Sequence, residues 1–534
     1  MPTLEWIGKK AVLNHHREVP YHLLRCEERL SAGDPDSGNL LVQGDNLLAL
    51  KALLPYYAGR VKCIYIDPPY NTGNENWVYN DAVNSPEMRD WLGKVVGGEA
   101  EDLSRHDKWL CMMYPRLCLL REFLREDGAI FISIDDNEYH NLRGIMDELF
   151  GIRNFVANAI WQKRTSPDMR LSFSTAHDYV VVYAKDIASV RFNRIPKTAK
   201  QAAQFRNPDN DTRGPWVSSD YTAQGYRPNQ MYTIRTPGGI EYKPPPGVCW
   251  KNVESVFLEL VRDGRIWFGK DGKAMPRRKT FLSESPGNAV WTWWSNDEVG
   301  HTQEAKKELD AILGEGHAFE TPKPTRLVQR VLAVATGRDS LILDSFVGSG
   351  TTGHSVLAAN KADGGKRRFI LVEMESDICK NVTAQRLGRV IQGYETKNGK
   401  GSEKIEGVGG GFRYCTLGPT LFDEGGNIRS EVKFHELAAH VYFVETGEPI
   451  PKQVNGRSPL LGVQRGTAIY LLYNGVLKDK SPNGGNALTR SVLGELPRQD
   501  GPKVIYGTSC RLGKARLKRE HITFRQIPYE VRVR

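Results

Sequence analysis

Hydrophobic positions change period several times within the first seventy residues. In NLLVQGDNLLALKALLPYYAGRVKCIYIDPPY, residues 39–70, Leu47, Leu50, Leu53 and Leu54 recur at helical spacing. VKCIYI, after them, is a short continuous apolar run of the kind a buried parallel strand shows. The segment predicts strand, turn, helix and strand. DKWLCMMYPRLCLLREFLRE predicts a helix closed by Asp127-Gly128, with the strand AIFISI directly after it, and FVANAIW and DYVVVYA predict further strands. From about Arg191 this alternation stops. It resumes with TPKPTRLVQRVLAVAT (helix), SLILDSF (strand), TTGHSVLAAN (helix) and RFILVEM (strand). Strands alternating with helices predict a parallel α/β sheet. The Gly/Lys-rich KNGKGSEKIEGVGGG marks a boundary near residue 400. Beyond it the pattern is mixed and ends in the basic RLGKARLKREHITFRQIPYEVRVR.

At 534 residues, 40% hydrophobic and 25% charged, the chain has room for two or three domains with real cores. The mean hydropathy of −0.47 and strand-sized apolar runs argue against a membrane span. MPTLEWIGKKAVLNHH lacks the apolar core and cleavage site of a signal peptide, so a cytoplasmic location is expected. The eight cysteines form no CxxC pair and no zinc-spaced Cys/His cluster, which predicts reduced thiols and no metal. The net charge of +10 is unevenly spread. Residues 191–284 hold 17 Lys+Arg against 9 Asp+Glu, and six of the eleven tryptophans fall in 216–294. The interruption in the α/β pattern is therefore a folded, basic insertion, with the charge to meet nucleic acid.

Two motifs carry chemistry. In LDSFVGSGTTG, residues 343–353, Gly348, Gly350 and Gly353 satisfy GxGxxG between a predicted strand and helix. Glu373 lies twenty residues further on, at the end of the next strand, placed for ribose hydroxyls. Asp344 and Phe346 precede the glycines, an acid and an aromatic suited to a cofactor with an amino group and a cationic stem. S-adenosylmethionine has both, and NAD has neither. In IYIDPPYNTG, residues 64–73, Pro68 and Pro69 fix the backbone and leave carbonyls free to accept. Asp67 adds a carboxylate and Tyr70 a flat ring, which together form a clamp for the exocyclic amine of a planar base.

DPPY followed far downstream by DxFxGxG resembles the β-class amino-group DNA methyltransferases. The resemblance extends through Gly44-Asp45-Asn46-Leu47, Asp135-Asp136-Asn137-Glu138, HDYVVVYAK and Thr321-Pro322-Lys323-Pro324, over roughly residues 40–395. FRNPDNDTRGPW, PPPGVCW, GRIWFGKDG and TWWSNDEVG resemble the modification subunits of type III restriction–modification systems. FRQIPYEV, near the end, resembles their C-terminus. The resemblance implies a Rossmann-like, S-adenosylmethionine-dependent α/β sheet with circularly permuted motif order. It implies the catalytic part at 20–190, an inserted target-recognition domain at 191–312, the cofactor part at 313–396 and a C-terminal α+β domain at 410–534. By the same resemblance Asp67, Pro68, Pro69 and Tyr70 are catalytic. The cofactor would meet Asp45, Asn46, Lys323, Asp344, Phe346, Gly348, Ser349, Gly350, Thr351 and Glu373. Asp45 also fits a helix cap and Lys323 a solvated lysine. Double-stranded DNA is the expected partner, with an ATP-dependent restriction subunit and a second copy of the chain as further partners implied by the resemblance.

The activity expected is methyl transfer to adenine N6. N4-cytosine methylation has a similar clamp, and Asp rather than Ser before PPY leans toward adenine. Methylation of RNA or of a protein amide, and a non-catalytic cofactor-sensing DNA binder, stay open. In the insertion Arg277, Arg278 and Lys279 form the densest basic cluster and are the candidates for DNA contact. Its tryptophans are expected in the core rather than as stacking platforms.

Overall fold

A computed structural model of the chain describes residues 3–73, 93–94, 104–398, 401–452, 454, 458–473, 476–477 and 485–528. Two compact units are present, Met1–Asn193 with Trp291–Arg534, and Arg194–Val290.

The first unit is built on a ten-stranded sheet. Its strands in chain order are β1 (His22–Gly33), β2 (Leu40–Gln43), β3 (Val61–Ile66), β4 (Leu124–Ile134) and β5 (Phe155–Gln162). They continue with β6 (His177–Ala184), β7 (Trp293–Trp294), β8 (Leu341–Asp344), β9 (Arg368–Glu373) and β10 (Gly411–Thr420). The spatial order is β1-β10-β2-β9-β8-β3-β4-β6-β5-β7. From β10 to β4 every neighbouring pair is parallel, and β6 runs antiparallel to both β4 and β5. The expected α/β fold is therefore present, and the motif order is permuted, because the DPPY strand β3 precedes its glycine-loop neighbour β8 by some 280 residues.

Helices cover the sheet because their apolar stripes must be buried. Those that bear on the site are α1 (Asn46–Tyr57), α2 (Arg105–Phe123), α3 (Thr302–Leu313), α4 (Thr325–Ala335), α5 (Thr351–Asp363) and α6 (Ala384–Gln392). Leu47, Leu50, Leu53 and Leu54 of α1 pack into one core with Ile64 and Ile66 of β3. α2 ends at Phe123, three residues earlier than its pattern predicts, and LREDG opens the strand β4. β3 leads through α2 to β4 on one side of the sheet's midline, and β8 leads through α5 to β9 on the other. The carboxyl ends of β3 and β8 thus flank a topological switch point, where open α/β sheets leave a crevice.

Three expectations differ from what forms. The Gly/Lys-rich stretch near residue 400, expected to mark a boundary, contributes to a pair of antiparallel strands, Gly393–Asn398 with Gly401–Glu406. Residues 411–420, assigned from sequence to the C-terminal domain, are β10 of the main sheet, between β1 and β2. Cys26 and Cys415, expected as free thiols, face each other across the antiparallel β1–β10 ladder and are joined as a disulfide. After β10, helix α7 (Phe434–Thr446) and a four-stranded sheet follow, sharing a core with Leu23 of β1.

Arg194–Val290 carries a three-stranded antiparallel sheet in which Arg277–Phe281 lies between Ile266–Trp267 and Trp216–Asp220. Its core gathers Tyr221, Ile234, Trp250, Phe257, Ile266 and Phe268. The unit ends before the segment 291–312, which sequence reading included in the insertion. Those residues form β7 beside β5, and helix α3, within the first unit.

Candidate active site

Strand β3 ends at Ile66 and releases Asp67-Pro68-Pro69-Tyr70 into the crevice. The two prolines offer no N–H, so the turn is held by other groups. The Pro69 carbonyl accepts from Trp109 Nε1 of α2 at 2.7 Å. Asn71, at φ 56°, donates through Nδ2 to the buried Glu138 carboxylate, which also accepts from Asn141 Nδ2 and lies 2.7 Å from His106 Nδ1. The last residue of Asp135-Asp136-Asn137-Glu138 thus pins the segment that follows Tyr70.

Asp67 Oδ2 accepts from Lys323 Nζ at 2.5 Å, while Asp67 Oδ1 is buried with no hydrogen-bond partner among the described residues. The Lys323 ammonium lies 5.0 Å from the centroid of the Tyr70 ring and 6.0 Å from that of Trp161. Tyr70 Oη donates to Asp178 Oδ2 at 3.5 Å, and Lys163 Nζ donates to Asp178 Oδ1 at 2.5 Å. Burial raises the carboxyls of Asp178 and Asp135 above their ordinary value. Tyr70, Asp135, Trp161, Lys163, Asp178 and Lys323 line a cavity of about 600 Å³, with Asp67 behind Lys323 at its edge.

One strand over, the chain leaves β8 through Asp344-Ser345-Phe346 into the glycine turn. Asp344 accepts from Thr352 Oγ1 at 2.5 Å and from Phe346 N at 3.0 Å, and burial pushes its carboxyl up to about 7. Gly348 and Gly350 have φ of 53° and 85°, in the left-handed region that favours glycine. A Cβ on Gly353 would stand 2.7 Å from Leu387 and 2.8 Å from Leu371, so the third glycine lets α5 pack close to β9 and α6. The Glu373 carboxylate accepts from Gly348 N and Glu375 N, both at 2.9 Å. Ser349 and Thr351 are buried and meet the fully buried guanidinium of Arg386, which reaches Glu308 of α3 at 3.3 Å. Thr351 Oγ1 also donates to the Lys323 carbonyl at 3.1 Å, tying the glycine turn to the Thr321–Pro324 segment.

Asp45 caps α1, its Oδ1 accepting from Leu47 N and Leu48 N, and its Oδ2 pairs with the buried Arg116 at 3.0 Å. Asn46 is buried and donates to the Ser345 carbonyl at 3.0 Å. The sheet thereby brings all fourteen sequence-selected catalytic and cofactor residues to the carboxyl ends of β2, β3, β8 and β9 and the segment ahead of α4.

Residues 61–385 match the family of DNA methylases of the N6/N4 type, a span of more than half of the chain. The chain belongs to this DNA methylase family. It is 36% identical over 407 residues to the type III restriction-modification enzyme StyLTI Mod subunit of Salmonella typhimurium strain LT2, covering 72% of this chain and 60% of that relative. It is 33% identical to the type III EcoPI Mod subunit of Escherichia phage P1, covering 72% and 65%. It is 30% identical to the type II methyltransferase M.KpnI of Klebsiella pneumoniae, covering 68% and 86%. The chain thus spans a little under two thirds of the length of these type III relatives.

Sequence reading missed Asp178, Lys163, Glu138, Arg116 and Arg386 as builders of the site. Arg116 and Arg386 carried a signal, since each sits among apolar positions of a helix, where a charge must be buried with a partner. The basic cluster of the insertion needs correction. Lys279 is 5% exposed and pairs with Asp209 and Asp211, its ammonium 5.0 Å from the Trp216 ring centroid and 5.9 Å from that of Trp267. It is a core residue and not a phosphate contact. Arg277 pairs with Asp220 at 2.6 Å, and Arg278 is exposed. Among the described residues no helix is long and apolar enough to cross a membrane, and no His/Cys/Asp/Glu group is arranged to hold a metal.

Proposed function

We propose that the chain transfers a methyl group from S-adenosylmethionine to N6 of an adenine flipped out of double-stranded DNA. In this reading it works as the modification subunit of a type III-like restriction–modification system or as a solitary relative. The observation that carries the reading is the buried Asp67 Oδ1, without a hydrogen-bond partner among the described residues, next to Tyr70 at the switch point shared with the glycine turn. An amine with two hydrogens and a planar ring supplies what these groups lack.

The residues present fit the cofactor. Each oxygen of Glu373 accepts one backbone N–H, from Gly348 and Glu375, which fixes the carboxylate beside the glycine turn where a ribose would lie. Asp344, held near neutrality by burial, is a carboxyl that a cationic ligand would ionise. Phe346 is only partly buried, and the left-handed glycines expose backbone to a close ligand. S-adenosylmethionine supplies an electrophilic methyl on a sulfonium. Asp45, Asn46, Ser349, Gly350 and Thr351 support this pocket through the cap and turn bonds above.

Unstacking the base costs on the order of a few kcal/mol, which stacking on Tyr70 offsets. Lys323 holds Asp67 Oδ2 and so aims Oδ1 at the amine. The Pro68 carbonyl, rigid by its ring, accepts the second hydrogen. With both hydrogens accepted, the nitrogen lone pair is drawn out of the ring and aligned for in-line attack, so the rate comes from positioning and charge placement. Asp178 orients Tyr70 through its hydroxyl. Double-stranded DNA, an ATP-dependent restriction subunit and a second copy of the chain are the partners this reading names.

Nucleoside mass spectrometry of DNA from methylation-free cells tests it. N6-methyladenine is expected with the intact protein and absent with Asp67→Ala. N4-methylcytosine in its place would overturn the base assignment.

A further inference from the structure

The fourteen residues between Gln162 of β5 and His177 of β6 form a loop whose two ends differ in character. At its base, Lys163 N donates to the Ala176 carbonyl at 2.9 Å, so the loop closes like a hairpin. Lys163, Arg164, Thr165, Ser166, Pro167 and Asp168 form one wall of the catalytic cavity. The tip is ordered by polar bonds. Asp168 accepts from the Arg170 guanidinium at 2.9 and 2.7 Å and from Arg170 N at 3.1 Å, and Asp168 N donates to Ser174 Oγ at 2.8 Å.

On this ordered tip three large apolar side chains face solvent. Met169 is 88% exposed, Leu171 57% and Phe173 95%. Water is a poor environment for such a cluster, and patches of this kind mark a surface that meets something apolar. Arg164 is exposed beside it and carries charge that suits a phosphate backbone, while the exposed Arg170 is paired with Asp168. An apolar tip with a flanking arginine, rooted in the wall of a pocket for one planar base, matches the interior of a base stack from which that base has been removed.

We propose that this loop is the wedge of base flipping, with Phe173 entering the gap the target base leaves and Met169 and Leu171 packing against the neighbouring bases. The proposal rests on the reading of the cavity as a flipped-base pocket. Apolar side chains inserted between base steps are a general means of stabilising unstacked duplex. The loop returns into β6, whose Asp178 accepts from the Tyr70 hydroxyl, so the wedge is tied to the clamp through β6.

The test compares the intact chain with Phe173→Ala and Phe173→Trp on two duplexes carrying the mapped recognition site. In one duplex the target adenine is paired. In the other it faces an abasic position and needs no unpairing. Phe173→Ala is expected to lose at least about tenfold in methylation rate on the paired duplex. It is expected to return to within about twofold of the intact chain on the abasic one, and Phe173→Trp to stay active on both. Since Phe173 makes little contact with the fold, unchanged thermal unfolding of both variants is expected alongside. Equal losses on both duplexes, or no loss on the paired one, would overturn the wedge. Absence of any DNA methylation by the intact chain would overturn the flipped-base reading instead.

Discussion

Single carboxyl groups set how the site responds to pH. Asp344 is held up to about 7 against an ordinary 3.8, with burial as the main cause, Asp67 adding to the rise and Lys323, Thr352 and Phe346 N opposing it. A carboxyl raised in the folded state binds its proton there more tightly than in the unfolded chain. Its contribution to stability is therefore fullest below pH 4 and is lost as the pH rises toward 7, by at most about 4 kcal/mol. Asp344→Asn keeps its oxygen for Phe346 N, turns its amide N–H toward Thr352 Oγ1, which then accepts, and removes the titration. Urea midpoints of the two proteins between pH 4 and 8 are expected to diverge in the variant's favour as the pH rises, and parallel curves would show that Asp344 does not titrate in this range. Lys323 offers a second check through its ion pair. Lys323→Met is expected to lower kcat by about 10- to 100-fold with a smaller change in KM for DNA, because it frees Asp67 Oδ2 without removing the acceptor. The Asp67 and Tyr70 positions were legible in the sequence because Pro-Pro after an apolar run leaves few alternatives for the backbone. Glu138 and Asp178 were not, since an acidic residue at a strand end reads as solvated until the fold shows what it faces.

Helices and strands were legible wherever one face alone is buried. The leucines of α1 and the continuous apolar run of β3 announce both elements, and the glycine turn announces the junction of β8 and α5. The onset of β4 was misread because Leu124 to Gly128 are mostly polar and a helix pattern runs straight into them. At this scale Gly353 is a tight helix–sheet junction, its missing Cβ leaving room for Leu387 and Leu371. Gly353→Val is expected to destabilise the first unit by about 1–3 kcal/mol in urea titrations. The strand Arg277–Phe281 gives an opposite pair of outcomes for adjacent residues, as its alternation places Lys279 inward and Arg278 outward. Lys279→Ala leaves Asp209 without its cation, while Asp211 keeps Arg213 at 2.8 Å, and is expected to destabilise Arg194–Val290 by about 1–3 kcal/mol. Arg278→Ala is expected to change stability by less than about 0.5 kcal/mol. In DNA titrations it is expected to reduce the salt dependence by about one phosphate contact. A charge run reads as one patch in sequence, and only the two-residue period of the strand separates its members.

Across the whole molecule, β10 could not be anticipated, because nothing local distinguishes GFRYCTLGPT from the first strand of an independent domain. Its pairing with β1 and β2 joins chain segments almost 400 residues apart. A fragment ended at residue 398, where the Gly/Lys-rich stretch suggests a cut, would carry the whole catalytic constellation. It would also leave Leu40, Leu41 and Val42 of β2 with a bare edge. Such a fragment is expected to aggregate or fail to bind cofactor in light-scattering and calorimetric measurements, whereas one ended after residue 420 keeps the sheet closed on that side. The same arrangement governs how the protein is made. At usual elongation rates β2 emerges from the ribosome on the order of half a minute before its partner β10 exists. Throughout that interval the nascent chain holds an open, apolar strand edge, so cover of that edge until β10 arrives is part of the route to the folded chain.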